Sequence, residues 1–265
     1  MPDGNDSTMV EFEDAITYPL EDDDWLSTIG IGGGLFVVNL AVVGVGLLVA
    51  AILSLVFVGV ALFPLVILLG VAITLPVGGY YMAVLRATIE GDDDPPRFED
   101  WERLFEDGLI PIAVSLVYTV PLVVVLVVVG VLAALGVGIV TTLGGDAAVV
   151  GGLLIGSLGV VVFSLVVAVY VTVMPYFVPI SMAIYAHEGD LRTAFDHDRI
   201  TQVAFTKAFA IYWTIAFGIQ FVAGQFIGLL YLAVIGVFLQ FYLGVVTVRL
   251  YGLGYVAAMD LDSAD

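Results

Sequence analysis

The two histidines are the side chains best suited to chemistry in this sequence, because they lie close together among carboxylates. His187 and His197 are the only histidines. Their neighbours include four acids, which are Glu188, Asp190, Asp196 and Asp198. Imidazole and carboxylate groups together bind divalent metal ions. The spacing nevertheless matches no tight metal-ligand motif, so we expect neither a metal site nor a cofactor.

The remaining candidates for chemistry are polar or proline residues inside long apolar runs. The polar ones are Asn39, Gln220, Gln225 and Gln240, and the prolines are Pro64, Pro76, Pro111, Pro121, Pro175 and Pro179. Amides at such positions either join neighbouring helices by hydrogen bonds, which is the commoner case, or line a solute path. Prolines either break helices, as at transporter sites, or lie near span ends. No nucleophile, phosphate-loop or zinc-protease motif occurs, so we predict no catalytic residue and no enzyme activity.

Two arginines lie close to the ends of apolar runs. Arg86 follows the first run and Arg249 follows the last one. A long cationic side chain at such a position reaches the membrane interface by snorkelling. The sequence therefore predicts that Arg86 and Arg249 are span-end cations with a structural role.

These side chains belong to a chain whose composition is that of a membrane protein. The hydrophobic fraction is 61% and the charged fraction is 12%, about half the share usual for a soluble domain. Uncharged runs cover Ile29–Leu85, Gly108–Gly145, Ala147–Ala186 and Ala208–Val248. A membrane span needs roughly 20 apolar residues. The runs lack the alternation of barrel strands, so we predict an all-α, polytopic membrane helix bundle.

The seven cations predict the orientation of the chain in the membrane. They are Arg86, Arg97, Arg103, Arg192, Arg199, Lys207 and Arg249. If each apolar block forms a hairpin of spans, all seven face one side, and the positive-inside rule makes that side cytoplasmic. Both termini then lie in the cytoplasm, and the bilayer is the plasma membrane.

The same pattern predicts the organisation of the chain. We expect an acidic cytoplasmic segment at 1–28, a single transmembrane domain at 29–258 with hairpins at about 29–85, 109–186 and 208–248, and an acidic tail at 259–265. About six spans result. The second block is long enough for more than two spans, and any even number keeps the same orientation.

The net charge is unusual. There are 26 acids against 7 basic residues, giving a formal charge of −19. An acidic surface with a single lysine is typical of proteins from salt-accumulating halophiles, in which the short Debye length of roughly 3 Å removes self-repulsion. The alternative is binding of a basic partner or of divalent cations. A nucleic-acid partner is not expected.

Short sequence matches indicate an internal repeat. Residues 76–92 resemble residues 175–190 in their Pro, Met-Ala and Glu-Gly-Asp elements, at a spacing of about 98 to 100 residues. Residues 11–15 likewise resemble residues 97–101, and residues 191–195 precede the third block. We interpret these matches as three units, each a short polar helix followed by a membrane hairpin.

The segment RFEDWERLFEDG at 97–108 interrupts the apolar runs. At 100° per residue, the apolar side chains Phe98, Trp101, Leu104 and Phe105 fall on one arc, opposite the charges. The preceding prolines favour a helix start, and Gly108 favours its end. We therefore predict a short amphipathic helix in the membrane interface, which either orients two hairpins or docks a protein partner.

Glycines at a spacing of four residues predict close helix packing. The pairs are Gly30 and Gly34, Gly152 and Gly156, and Gly224 and Gly228. Each pair places two small residues on one helix face, which lets backbones approach. Such faces either pack the bundle internally or pair protomers, and the oligomeric state is left open.

Several of these features together resemble one family. Three motifs are similar to those of the archaeal and bacterial membrane family called domain of unknown function 4013. They are Asp14-Ala15-x-x-Tyr18-Pro19, the span end Met82-Ala83-Val84-Leu85-Arg86, and the signature Pro95-Pro96-x-Phe98-x-Asp100-Trp101-x-x-Leu104-Phe105-x-Asp107-Gly108. The likeness runs from about residue 11 to 258. It implies a membrane fold and location, and it carries no activity.

Two classes of function agree with these features. The first is a non-enzymatic membrane module that scaffolds a membrane or cytoplasmic protein, or organises lipid. The second is a small-solute permease or channel, which the repeats and the Pro- and Gly-rich spans favour. A continuous polar path through the bundle distinguishes the second class from the first.

Overall fold

The computed structural model describes residues 4–56, 58–231 and 234–262, and these are almost entirely helical. The eight helices are α1 (Gly4–Thr17), α2 (Trp25–Leu53), α3 (Val58–Glu90), α4 (Trp101–Leu143), α5 (Gly145–Glu188), α6 (His197–Ala204), α7 (Lys207–Leu230) and α8 (Ile235–Asp262). Six of them, α2 to α5 with α7 and α8, are long and apolar enough to cross a membrane. The prediction of an all-α polytopic bundle with about six spans is confirmed.

The repeated Glu-Gly-Asp element forms the same helix end twice. Helix α3 stops at Glu90 and α5 stops at Glu188, and the glycine that follows each has a left-handed backbone, with φ of 76° at Gly91 and 73° at Gly189. Glycine adopts this conformation without steric cost, and it closes a helix by capping its last carbonyls. The sequence match therefore reflects a shared local structure.

Contacts divide the chain into two compact units, which we describe separately. Unit 1 comprises Met1–Ile112 and Pro179–Asp265. Its core lies where α2, α3, α7 and α8 pack against one another. Aromatic rings fill its centre: Tyr80 stacks on Phe98 with centroids 4.5 Å apart, and Phe241 lies 5.4 Å from Tyr80. Burial of such rings is a large part of the apolar stabilisation of this unit.

Unit 2, Ala113–Val178, is an antiparallel pair formed by parts of α4 and α5. The hydroxyls of Thr119 and Tyr170 lie 2.9 Å apart, and nearer the turn Gly136 approaches Ile155. Gly144 and Gly145 form the turn with positive φ values of 60° and 80°. The long second block thus contains two helices rather than four.

The segment at 97–108 differs from its predicted form. No separate short helix is present there, because α4 begins at Trp101 and continues through Gly108 to Leu143. The predicted helix end at Gly108 is therefore wrong. A Cβ at Gly108 would overlap the carbonyl oxygen of Leu75, so the glycine serves close packing between α3 and α4.

The apolar arc of this segment is also divided. Phe98 and Leu104 are buried in the core of unit 1, whereas Trp101 and Phe105 are each 42% exposed. The arc predicted these four side chains to share one environment. Two of them instead hold the segment against α3, and two face outward.

Most of the glycines predicted to lie in close helix contacts do not lie in them, and other glycines do. A Cβ at Gly30, Gly34, Gly156, Gly224 or Gly228 would meet nothing within 4 Å, and of the predicted six only Gly152 contacts a neighbour, Val140. The internal alternative is thus contradicted for five of them, and pairing of protomers stays a prediction. Close packing occurs instead at Gly32 and Gly33, whose absent side chains make room for Phe241 and Phe238.

The prolines do not divide the spans. Pro64 and Pro76 lie inside α3, and the other four proposed breakpoints lie within α4 and α5, which run without interruption. Transporter sites are commonly built where two half-helices meet. Among the described residues, none of these prolines creates such a break.

Candidate functional site

Charged side chains of unit 1 meet where α3 ends and α4 begins. The first pair is Arg86 of α3 with Asp107 of α4, whose two carboxylate oxygens accept hydrogen bonds of 3.0 and 3.4 Å from the guanidinium. Arg103, which lies one turn before Asp107 in α4, approaches the same carboxylate at 3.6 Å. Two cations thus share one acid, and the pairing fixes the first turns of α4 against α3.

Arg97, in the loop before α4, joins this region to the start of α2. Its guanidinium donates to both oxygens of Asp22, at 2.5 and 3.1 Å, and lies 3.3 Å from Asp24. The hydrogen bonds from Arg97 lower the pKa of Asp22, and those to Asp22 raise the pKa of Arg97. The bidentate geometry orders the loop through which the chain enters α4.

Arg249 of α8 is the most enclosed charge among the described residues, with only 3% of its side chain exposed. It donates to the carbonyl of Asp92 at 3.0 Å, to the Asp93 carboxylate at 2.9 Å and to Asp14 at 3.2 Å. The guanidinium carbon also lies 4.1 Å from the centre of the Tyr18 ring. Arg249 therefore ties α1 and the loop after α3 to α8.

The environment of Arg249 corrects the snorkelling interpretation. A snorkelling cation keeps its charge in water or among headgroups, whereas Arg249 is covered by its own chain. Burial likewise raises the pKa of Tyr18 to about 12. Arg86 is also engaged internally, through Asp107. Arg86 lies near the end of α3 as predicted, whereas Arg249 lies near the middle of the apolar helix Ile235–Met259 rather than at its end. Both arginines join separate segments of the chain.

A polar cleft of about 240 Å³ opens beside these ion pairs. We call it the arginine cleft. The α3 wall consists of Ala83, Arg86, Ala87 and Glu90, and the opposite wall includes Arg97, Asp100, Arg103 and Asp107. The α3 residues follow the spacing of one helix face, as do Arg103 and Asp107 of α4, whereas Arg97 and Asp100 precede α4. The two alanines leave the space that larger side chains would fill.

The shape of the arginine cleft follows from the glycine contact below it. A Cβ at Gly79 would overlap the carbonyl oxygen of Leu104, so α3 and α4 touch there backbone to backbone. The charged side chains follow this contact toward the C-terminal end of α3. Four polar residues of the segment at 97–108 therefore line a cleft between helices, namely Arg97, Asp100, Arg103 and Asp107.

The histidines do not form a metal site among the described residues, where no group of three His, Cys, Asp or Glu is placed to hold an ion. The His187 ring lies 5.9 Å from that of Tyr255. Arg199 forms ion pairs with Glu188 and Asp196. Two of the candidate acids therefore neutralise an arginine.

The amides inside the spans bond to helices. Asn39 donates to the Gly70 carbonyl across α2 and α3 at 2.6 Å. Gln220 donates to the hydroxyl of Thr247 across α7 and α8 at 2.9 Å, and Gln225 bonds within its own helix, to the carbonyl of Phe221. Of the two predicted alternatives, the bonds of Asn39 and Gln220 match helix joining, whereas the bond of Gln225 joins no second helix.

Sequence reasoning missed the acids that complete the site. Asp14, Asp22, Asp93 and Asp107 each contact an arginine, and none of them is a predicted site residue. Asp107 carried a usable signal, since it lies four residues after Arg103 and therefore on the same helix face. The other three pairings join residues 75 or more positions apart.

Comparison with known proteins gives one match. The family model described as "Protein of unknown function (DUF4013)" matches residues 61–233. This range includes α4 and α5, the loop that carries Arg97, and both walls of the arginine cleft. No curated protein and no solved structure matches the chain.

Proposed function

The chain belongs to the DUF4013 family, and from that premise we propose that it is a non-enzymatic, multi-pass membrane module that holds a protein partner at one face of the bilayer. The observation that carries this proposal is the outer face of the first turns of α4. There Trp101 and Phe105 are exposed beside Glu102 and Glu106. Exposed aromatic residues are typical anchors of protein interfaces.

The rigidity of this face supports a docking role. Phe98 and Leu104 are buried beneath it, and the Arg86–Asp107 pair fixes the same turns. A surface held in one conformation loses little entropy when a partner binds. Its acids favour a partner with a basic surface through charge complementarity.

The permease alternative has less support. In unit 1, Asn39 of α2 and Gln220 of α7 bond to neighbouring helices, and the proline-containing span α3 is continuous. A flux assay addresses this alternative directly.

The test compares two double variants in the native membrane. Trp101→Ala with Phe105→Ala removes the exposed rings, and Leu65→Ala with Leu69→Ala removes equally spaced, exposed side chains from the span α3. We expect both to reach normal abundance, because Phe98 and Leu104 stay in place. Affinity purification with mass spectrometry is expected to lose a co-purifying protein only with the first. Equal recovery from both, or saturable solute flux in proteoliposomes, would contradict the proposal.

We further propose that the protein lies in the plasma membrane of a halophile, with both termini and the loops at 86–107 and 187–207 in the cytoplasm. The acidic composition and the positive-inside rule support this placement. Single cysteines at Asp92 or Asp190 should resist an impermeant thiol reagent in intact cells kept at molar salt, and a cysteine at Asp146 should react. Reaction at Asp92 without reaction at Asp146 would reverse the orientation.

A further inference from the structure

The arginine cleft carries charge of opposite sign on different parts of its wall. Arg86 occupies both oxygens of Asp107, while Arg103 makes a single, longer approach to the same group at 3.6 Å. Within this group of three side chains there are two guanidiniums and one carboxylate, and Asp92 and Asp100 also line the cleft. Arg103 is also 63% exposed, so its guanidinium is free to turn toward a ligand.

Glu90 supplies the opposite charge. It lies four residues after Arg86 on α3 and therefore on the same helix face, one turn further along. Glu90 is exposed, and it has no ion pair among the described residues. A cationic group bound beside Arg86 and Arg103 would find its partner here.

The size and the position of the cleft limit the kinds of ligand that it can bind. At about 240 Å³ it is smaller than the roughly 300–1,000 Å³ of pockets for drug-sized ligands. The cleft lies where the apolar span α3 ends and the apolar span α4 begins, and therefore at one face of the bilayer. A small charged group at the membrane interface meets both conditions.

We propose that the arginine cleft binds a phosphate group that carries a primary amine, as in a phosphoethanolamine headgroup. The phosphate accepts from Arg103 and Arg86, since guanidinium forks match phosphate oxygens. The ammonium group pairs with Glu90. The same chemistry is present in a membrane lipid and in a free phosphoamine of the cytoplasm, and the experiment separates these two sources.

The test uses the full chain in detergent, in the salt that keeps it folded. Glycerophosphoethanolamine is the probe, and glycerophosphoglycerol and inorganic phosphate are the ligands without an amine. We expect Arg103→Ala to weaken probe affinity about tenfold, as for the loss of a charge-assisted contact. Glu90→Gln should abolish the preference for the amine and retain phosphate binding. Arg192→Ala, at an exposed arginine outside the cleft, is the matched control.

Folding and ligand source are measured alongside. Helix content and melting should be unchanged in Arg103→Ala, because Arg86 still holds Asp107, and Glu90→Gln provides an independent test should Arg103→Ala misfold. Retention of phosphatidylethanolamine over phosphatidylglycerol in nanodiscs, measured by native mass spectrometry, assigns the lipid source. Binding of the soluble probe alone assigns the free one. No probe binding, equal affinity for glycerophosphoglycerol, or unchanged affinity in both cleft variants would overturn the proposal.

This inference does not depend on the proposed protein partner. Headgroup affinity is measured on purified protein, and partner recovery is measured with Trp101 and Phe105, which do not line the cleft. If the headgroup proposal fails, the proposal of a protein partner can therefore still be tested, and the reverse also holds.

Discussion

Replacing Gly79 or Gly108 by alanine is expected to prevent normal accumulation of folded protein in the membrane, although the change adds one methyl group. At Gly79 that group would overlap the carbonyl oxygen of Leu104, and at Gly108 it would overlap that of Leu75. The obstacle in both cases is backbone, which no rotamer change moves aside. The helices α3 and α4 must then separate, and the Arg86–Asp107 pair above the contact is strained with them.

The size of this effect follows from two opposing terms. Alanine favours a helix over glycine by about 1 kcal/mol, whereas overpacking costs typically about 1–3 kcal/mol and more when backbones are displaced. We expect the overlap with backbone to lie at the upper end of this range and to exceed the helix preference, with a net loss of about 2 kcal/mol per substitution. Leucine at either position should be worse, because it forces a larger separation.

The matched controls are glycines whose added methyl group would meet nothing. Gly34→Ala and Gly228→Ala fulfil this condition, and both should be neutral or slightly stabilising because only the helix preference changes. Melting temperature and membrane abundance are the measurements. Wild-type melting of Gly79→Ala and Gly108→Ala would show that α3 and α4 do not touch at these glycines.

The sequence predicts the spans of this fold, but it does not predict which of their glycines lie in close helix contacts. The spans follow directly from the long uncharged runs, and the helix ends at Gly91 and Gly189 follow from a local glycine requirement. Which face of a span is buried does not follow, because a helix that is apolar all round has no periodic signal. Hence the four-residue spacing selected Gly34 and Gly228, which meet nothing, and passed over Gly79.

Prediction of the charged site failed for a related reason. Arg86 and Arg249 could be recognised as cations that follow apolar runs, although Arg249 lies inside α8 rather than at its end. Their roles depend on partners brought together by tertiary packing, such as Asp14, which lies 235 positions from Arg249. The end of the predicted helix at Gly108 failed similarly, since glycine there serves the contact with Leu75 rather than a helix stop.

Replacing Arg249 by alanine is expected to release α1 from the bundle and to lower the melting temperature. The guanidinium bonds three segments at once, through Asp14, Asp93 and the Asp92 carbonyl, and it lies over the Tyr18 ring. Alanine removes every one of these contacts and leaves a gap beside Tyr18. Protease cleavage within residues 4–17 and thermal melting together report the two consequences.

The free energy of unfolding that is lost with Arg249 is smaller than the number of ion pairs suggests, because the acidic partners are exposed to solvent. The side chains of Asp14 and Asp93 are 41% and 83% exposed, so both carboxylates rehydrate when Arg249 is removed, and their ion pairs contribute little. The stacking on Tyr18 is shielded, because both Tyr18 and Arg249 are buried, and the bond to the Asp92 carbonyl is part-buried. A desolvated cation–π contact contributes about 2 kcal/mol, and a hydrogen bond to a charged group about 1.5–3 kcal/mol. We therefore expect a total loss of about 3.5 kcal/mol, the lower end of the sum, because Asp92 is itself exposed.

The contacts of Arg249 predict an order of stability among variants that differs from the order expected for a simple ion pair. Asp14→Asn should have a small effect, because the acid is half exposed and its amide oxygen still accepts a hydrogen bond. Arg249→Lys should be intermediate, because an ammonium group keeps the charge and lacks the planar fork that reaches separate acceptors. Arg249→Ala should be the most severe, and Arg192→Ala should match the wild type. If Asp14→Asn proves as damaging as Arg249→Ala, then the ion pair with Asp14, rather than the shielded contacts of Arg249, holds α1 in place.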